Sequence, residues 1–152
     1  MAQTPSLVRD RCASRPSRRS AVVFVVILLG LIAACAPARL QALDLKDPPM
    51  PDFEPEASRF ISFDGAELGL TVWPAKEGAP DIVVVGVHGM NDYANAFHMA
   101  APWWAARGVT TYAYDQRGFG RSPGRGIWPE EELLREDLRT AVSVARRRHP
   151  DA

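Results

Sequence analysis

Residues 82–88 read Ile-Val-Val-Val-Gly-Val-His, and residues 109–114 read Val-Thr-Thr-Tyr-Ala-Tyr. The first is a continuous run dominated by β-branched residues, the mark of a strand covered on both faces of a parallel sheet. The second is a further strand, and it runs into a glycine-rich loop from Asp115 to Gly126. Between them, near Asn95 to Arg107, lies a stretch rich in Ala, Met and Trp that Gly108 closes as a C-cap. Pro102 in its middle predicts that the regular helix starts only there, since proline is tolerated in a first turn. Strand, helix, strand in this order is the repeating unit of an α/β sheet.

The flanks extend the pattern. Upstream, Arg59–Asp64 and Glu67–Trp73 alternate apolar and polar residues around Asp64-Gly65, a hairpin-turn dipeptide. Downstream, Pro129 to Arg148 predicts an amphipathic helix. Glu130, Glu131 and Glu132 at its start and Arg146, Arg147 and Arg148 at its end both suit the helix dipole. Leu134, Leu138, Ala141, Val142 and Ala145 are read as its buried face, and His149-Pro150 stops it.

The 18 basic and 18 acidic side chains give a net charge of zero, which supplies no basis for a nucleic-acid partner. The charge is nevertheless uneven. Arg9, Arg11, Arg15, Arg18 and Arg19 face only Asp10, and an apolar run follows from Ala21 to Ala34. That run has the length of a signal-peptide core and falls short of the roughly 20 residues of a spanning helix. Leu31-Ile32-Ala33-Ala34-Cys35 resembles the bacterial lipobox. The resemblance implies cleavage before Cys35, diacylglyceryl attachment to its thiol and an exported protein held on the cell envelope. The competing reading is an uncleaved membrane helix. Ser17-Arg18-Arg19-Ser20 reads better as a positive leader segment than as a twin-arginine signal. The expected organisation is a signal peptide over 1–34, a lipidated cysteine and proline-rich tether over 35–57, and a domain over 58–152. Cys12 and Cys35 both precede that domain, so it holds neither a disulfide nor a structural zinc site.

Two motifs carry a family resemblance. His88-Gly89-Met90 ends one strand, and Asp115-Gln116-Arg117-Gly118-Phe119-Gly120-Arg121-Ser122 follows the next. In this order and spacing they resemble the α/β-hydrolase fold, and most closely its serine aminopeptidase, monoglyceride lipase and lysophospholipase-like branch. The resemblance covers about Arg59 to Ala152. It implies the N-terminal part of that fold: a β-hairpin, then parallel strands with flanking helices, in an incomplete sheet. It further implies that the Met90 backbone N–H is an oxyanion-hole donor, supported by Gly89 and by a bracing His88 that is not a triad histidine. Asp115, Arg117, Gly118 and Gly120 are implied to shape a structural loop, with direct substrate contact as the lesser alternative. Tyr93, Phe97, Trp103 and Trp104 suit an acyl pocket or core packing equally.

Gly120-Arg121-Ser122-Pro123-Gly124 matches the nucleophile-elbow pattern Gly-x-Ser-x-Gly, but the match is formal. The residue after the nucleophile must donate its N–H to the oxyanion, and Pro123 has none. In the resembled family the nucleophile, acid and histidine follow the last helix seen here. The chain is therefore expected to be a fragment lacking the triad, inactive and poorly soluble by itself, with Ile82–His88 as an open sheet edge. The implied activity of the family is serine hydrolysis of a carboxylic ester or a monoacylglycerol- or lysophospholipid-like substrate, with no cofactor. Alternatives are an aspartate-nucleophile enzyme of the epoxide-hydrolase type and a non-catalytic, membrane-anchored lipoprotein. The former typically carries proline where Asn91 stands. His98 and Asp92 provide too few ligands for a metal.

Overall fold

The computed structural model describes residues 18–34 and 37–152, which form two compact units divided between Ala36 and Pro37. The first contains one helix, α1 (Arg18–Ala34), within which Val22 to Leu28 are exposed. No helix among the described residues is long and apolar enough to cross a membrane. Cys12 and Cys35 lie outside the described residues, and so does the expected lipidation site.

The second unit runs through β1 (Arg39–Leu40), β2 (Asp52–Glu54), β3 (Arg59–Ile61), β4 (Glu67–Trp73), β5 (Ile82–Val87), α2 (Ala100–Ala105), β6 (Val109–Tyr114), β7 (Trp128–Pro129) and α3 (Glu131–Arg148). Its main sheet has the order β2-β3-β4-β6-β5. β3 and β4 form the expected antiparallel hairpin, and Gly65 supplies its turn at φ +84°. β5 and β6 pair in parallel from Ile82↔Val109 to Val87↔Tyr114. Parallel neighbours require a crossover, and the 3-10 turn Ala94–Phe97 with α2 provides it. Pro102 lies in the first turn of α2, as expected, and Gly108 follows it at φ +79°.

Three expectations are corrected. The proline-rich stretch is extended, yet the part within residues 37–57 is no free tether. β1 pairs in parallel with β7, and β2 adds an edge to the hairpin. Phe53 of β2 is fully buried, stacked on Tyr112 at 4.3 Å and edge-on to Phe60 at 5.2 Å. Burying one such ring stabilises by about 1.5–3 kcal/mol, enough to hold a segment that proline density alone would leave extended in solvent.

The second correction concerns β5. It is only partly covered, and among the described residues it ends the sheet, paired with β6 alone. Ile82 is 56% exposed and Val87 39%. The open edge itself agrees with the expectation.

The third concerns α3, whose buried stripe is Leu133, Asp137, Ala141, Val144 and Ala145. Ala141 and Ala145 are buried as expected, but Leu138 is exposed, and Leu138 and Val142 line an open groove of about 460 Å³ beside Ile82, Val83 and Val85. Helix periodicity identified an apolar surface, but two such stripes lie side by side. The one that meets the core residues Phe53, Phe60, Leu68, Leu70, Tyr112 and Tyr114 is the buried one.

Candidate active site

The carboxyl ends of the parallel strands β5 and β6 bring the two motifs together. His88 leaves β5 buried, and its imidazole bridges the two loops. The Gln116 backbone N–H donates to His88 Nε2 at 2.9 Å, which puts the ring proton on Nδ1, 2.8 Å from the carbonyl oxygen of Gly89. Gln116 returns a second bond, its side-chain amide donating to the His88 carbonyl at 2.7 Å. The His88 ring thereby ties the loop after β5 to the loop after β6. Gln116 was not singled out from the sequence, since nothing local marks a loop glutamine as a clasp.

Gly89 to Asp92 form a tight turn closed by the Asp92 N–H on the Gly89 carbonyl at 3.3 Å. Asn91 takes a left-handed conformation at φ +59°. Met90 stands at the crest of this turn with its side chain 65% exposed, and among the described residues its N–H has no acceptor. A Cβ on Gly89 would meet nothing within 4 Å, so no contact inside the chain accounts for a glycine there.

Asp115 organises the second loop. Fully buried, it accepts the Ala94 N–H at 2.6 Å on Oδ1, and the Arg121 N–H and Nε–H, both at 2.9 Å, on Oδ2. It thereby ties the loop after β5 to the loop after β6. Gly120 sits at φ +52° against this carboxylate, where a Cβ would lie 2.5 Å from Asp115 Cγ. Gly118, at φ +82°, donates to the Pro123 carbonyl at 2.9 Å. Ser122 is buried; its hydroxyl accepts the Gly69 N–H at 3.0 Å and donates to the Asp115 carbonyl. A hydroxyl so engaged is a latch between loop and sheet.

Arg117 points into the core. It forms paired hydrogen bonds with Asp64 at 2.7 Å and with Asp137 at 2.8 Å, and the Ser62 hydroxyl donates to Asp137. Burial works against the Arg117 charge, but the hydrogen bonds to both carboxylates outweigh it and raise its pKa. The two acids respond oppositely. Burial pushes the Asp137 carboxyl up, ahead of the opposing Arg117 hydrogen bond. Burial acts likewise on Asp64, but Arg117 together with the Leu43 and Ala66 N–H groups reverses it and holds that carboxyl below its usual range. Asp137 and Ser62 were not singled out from the sequence, and Asp64 stood there only as a hairpin-turn residue. The spacing Leu133, Asp137, Ala141, Val144 on one helix stripe was the available signal.

The comparisons with known proteins bear on the fold. The serine aminopeptidase, S33 family model matches residues 78–152. A monoacylglycerol lipase of Mycolicibacterium smegmatis is 36% identical over 93 residues, covering 60% of this chain and 32% of that protein. Over this region the chain has the α/β-hydrolase fold.

A monoglyceride lipase of Saccharomyces cerevisiae is another relative, 31% identical over 83 residues that cover 51% of this chain and 26% of that protein. Among solved structures, the α/β-hydrolase GrgF from Penicillium superposes with a TM-score of 0.50 at 28% identity, over 58% of this chain and 30% of that one. A thermostable carboxyl esterase from Bacillus coagulans superposes with a TM-score of 0.51 at 22% identity, over 61% and 32%, and supports the fold. This α/β-hydrolase chain spans about a third of the length of the curated relatives it matches.

Proposed function

We propose that the protein is a serine hydrolase cleaving a carboxylic ester of the monoacylglycerol or lysophospholipid type, with Met90 supplying one oxyanion-hole donor. The observation that carries this reading is the Met90 amide. It lies at the carboxyl end of a parallel strand, has no acceptor among the described residues, and its loop is braced by His88 and Gln116. When a nucleophile attacks an ester carbonyl, the carbonyl π pair moves onto oxygen. A fixed N–H aimed at that oxygen lowers the barrier by about 3–4 kcal/mol. Asp115 keeps the facing loop at a set distance, so the donor costs little reorganisation. The nucleophile, acid and triad histidine are not assigned to any residue described here; Ser122 is excluded by its bonds and by Pro123.

The names of the relatives support the ester class, and the Asn91 conformation disfavours the epoxide-hydrolase type. Proline is fixed near φ −65° and cannot adopt the +59° found at the position where those enzymes carry it. We further propose that Cys35 is lipidated and holds the exported enzyme on the cell envelope, where lipid esters reside. Two acyl chains suffice for stable anchoring.

Fluorophosphonate labelling of the native protein, with hydrolysis of a monoacylglycerol, tests the reaction. A protein that is neither labelled nor active on the ester overturns the proposal. Mass spectrometry of the N-terminal peptide tests the anchor, which is abandoned if Cys35 carries a free thiol.

A further inference from the structure

The loop after β6 carries three arginines, Arg117, Arg121 and Arg125, and they stand in different situations. Arg117 is fully engaged by Asp64 and Asp137. Arg121 is half used: its Nε donates to Asp115, and its Nη2 donates to Thr71 Oγ1 at 2.9 Å, while Nη1 is left over. Arg125 is exposed, and among the described residues no carboxylate lies within ion-pair distance of it. A cavity of about 550 Å³ opens beside these groups, lined by Thr71, Tyr93, Asn95, Gly120, Arg121 and Arg125. No acid contributes to its wall.

We propose that this cavity is a phosphate subsite, occupied by the headgroup phosphate of a lipid ester or by free inorganic phosphate. Asp115 offsets one of the two arginine charges, so the net charge at the wall is that of one cation. The lining residues include side chains that carry donors an oxyanion takes: the guanidinium groups of Arg121 and Arg125, the Tyr93 phenol and the Asn95 carboxamide. Arginine forks match phosphate oxygens in paired hydrogen bonds, which are stronger than neutral ones. Arg121 is already fixed by Asp115 and Thr71, so binding loses little side-chain freedom there. Bracing the loop explains its Nε and Nη2 contacts but explains neither the leftover Nη1 nor Arg125, which braces nothing.

The position gives the subsite a use. Tyr93 and Asn95 lie on the same loop as Met90, a few residues further on. The lipid arm requires that a substrate whose ester carbonyl faces the Met90 amide place its headgroup phosphate in the cavity. This lipid arm rests on the hydrolase reading; the binding of phosphate itself does not.

Two measurements on the native protein decide it. In the first, inorganic phosphate and glycerol 3-phosphate are titrated calorimetrically at low and high salt. Saturable binding that weakens at least tenfold in Arg125→Gln, and with salt, is the expected result. In the second, lysophosphatidic acid and monoacylglycerol bearing the same oleoyl chain are compared by kcat/KM. A preference for the phosphorylated ester that falls about tenfold in Arg125→Gln, the equivalent of about 1.4 kcal/mol, assigns the lipid headgroup. Binding of phosphate without that preference assigns the free anion. Absence of saturable binding in the unaltered protein, or binding indifferent to Arg125→Gln, overturns the subsite. If no ester is cleaved, the hydrolase reading falls while the titration still decides the cavity. Tyr93→Phe, which removes one neutral donor and keeps the ring, checks that the loss in Arg125→Gln is not misfolding; weakened phosphate binding with an unchanged melting profile is expected.

Discussion

The guanidinium of Arg117 meets the carboxylate of Asp137 in a two-point contact, Nε and Nη2 each donating at 2.8 Å, with both side chains withdrawn from solvent. Because Asp64 grips the same guanidinium from the hairpin turn, one residue of the β6 loop locks the hairpin and α3 to the sheet. Removing the cation leaves two buried carboxylates facing each other. Arg117→Met is therefore expected to destabilise the protein by about 3–5 kcal/mol in urea unfolding. A loss below about 1 kcal/mol would show that the Asp64–Arg117–Asp137 cluster is dispensable.

Ser122 fits an elbow pattern and serves as a latch. Ser122→Ala is expected to keep fluorophosphonate labelling while losing about 1–3 kcal/mol, since the buried Gly69 N–H is left without an acceptor. Labelling that disappears in a correctly folded Ser122→Ala protein would overturn the latch assignment.

At Met90 the backbone matters and the side chain does not. Met90→Ala is expected to hold kcat within a few-fold. Met90→Pro, which deletes the N–H, is expected to lower kcat by about 10²–10³. Equal effects from both would place the oxyanion donor elsewhere.

His149 caps α3, and its Nε2 shares a hydrogen bond of 2.8 Å with the Tyr112 hydroxyl. Burial, then the nearby Arg148 charge, lowers its pKa below 6.5. The unfolded chain thus binds this proton more readily than the folded one. The stabilising contribution is full above pH 6.5 and fades as pH falls through the lowered folded value. Melting temperature followed from pH 8 to pH 5 should fall, and His149→Phe should flatten that part of the curve. Asp52, lowered by its Arg148 hydrogen bond, adds a separate acid loss only below about pH 4.

The edge of β5 also makes a prediction. Residues 37–152 expressed alone present Ile82 and Val87 beside the exposed face of α3, and an open apolar edge invites pairing between chains. Self-association in sedimentation velocity is expected, and Ile82→Lys should reduce it. A monodisperse sample would contradict this.

The sequence by itself determined the strands β3 to β6 with the helices between and after them, the hairpin at Asp64-Gly65, the glycine-rich loop after β6, and the placing of Met90 after β5. These are local: a two-residue or 3.6-residue period, a turn dipeptide or a proline acts within a few positions of itself. Tertiary structure alone decided which apolar stripe of α3 was buried, that Phe53 drew the proline-rich stretch onto the sheet, and that Asp64 and Asp137 met across Arg117. The Asp64–Arg117 pair is separated by 53 residues and the Asp137–Arg117 pair by 20. No local pattern records such a pairing, because a buried charge is stabilised by whichever partner folding brings within hydrogen-bond reach.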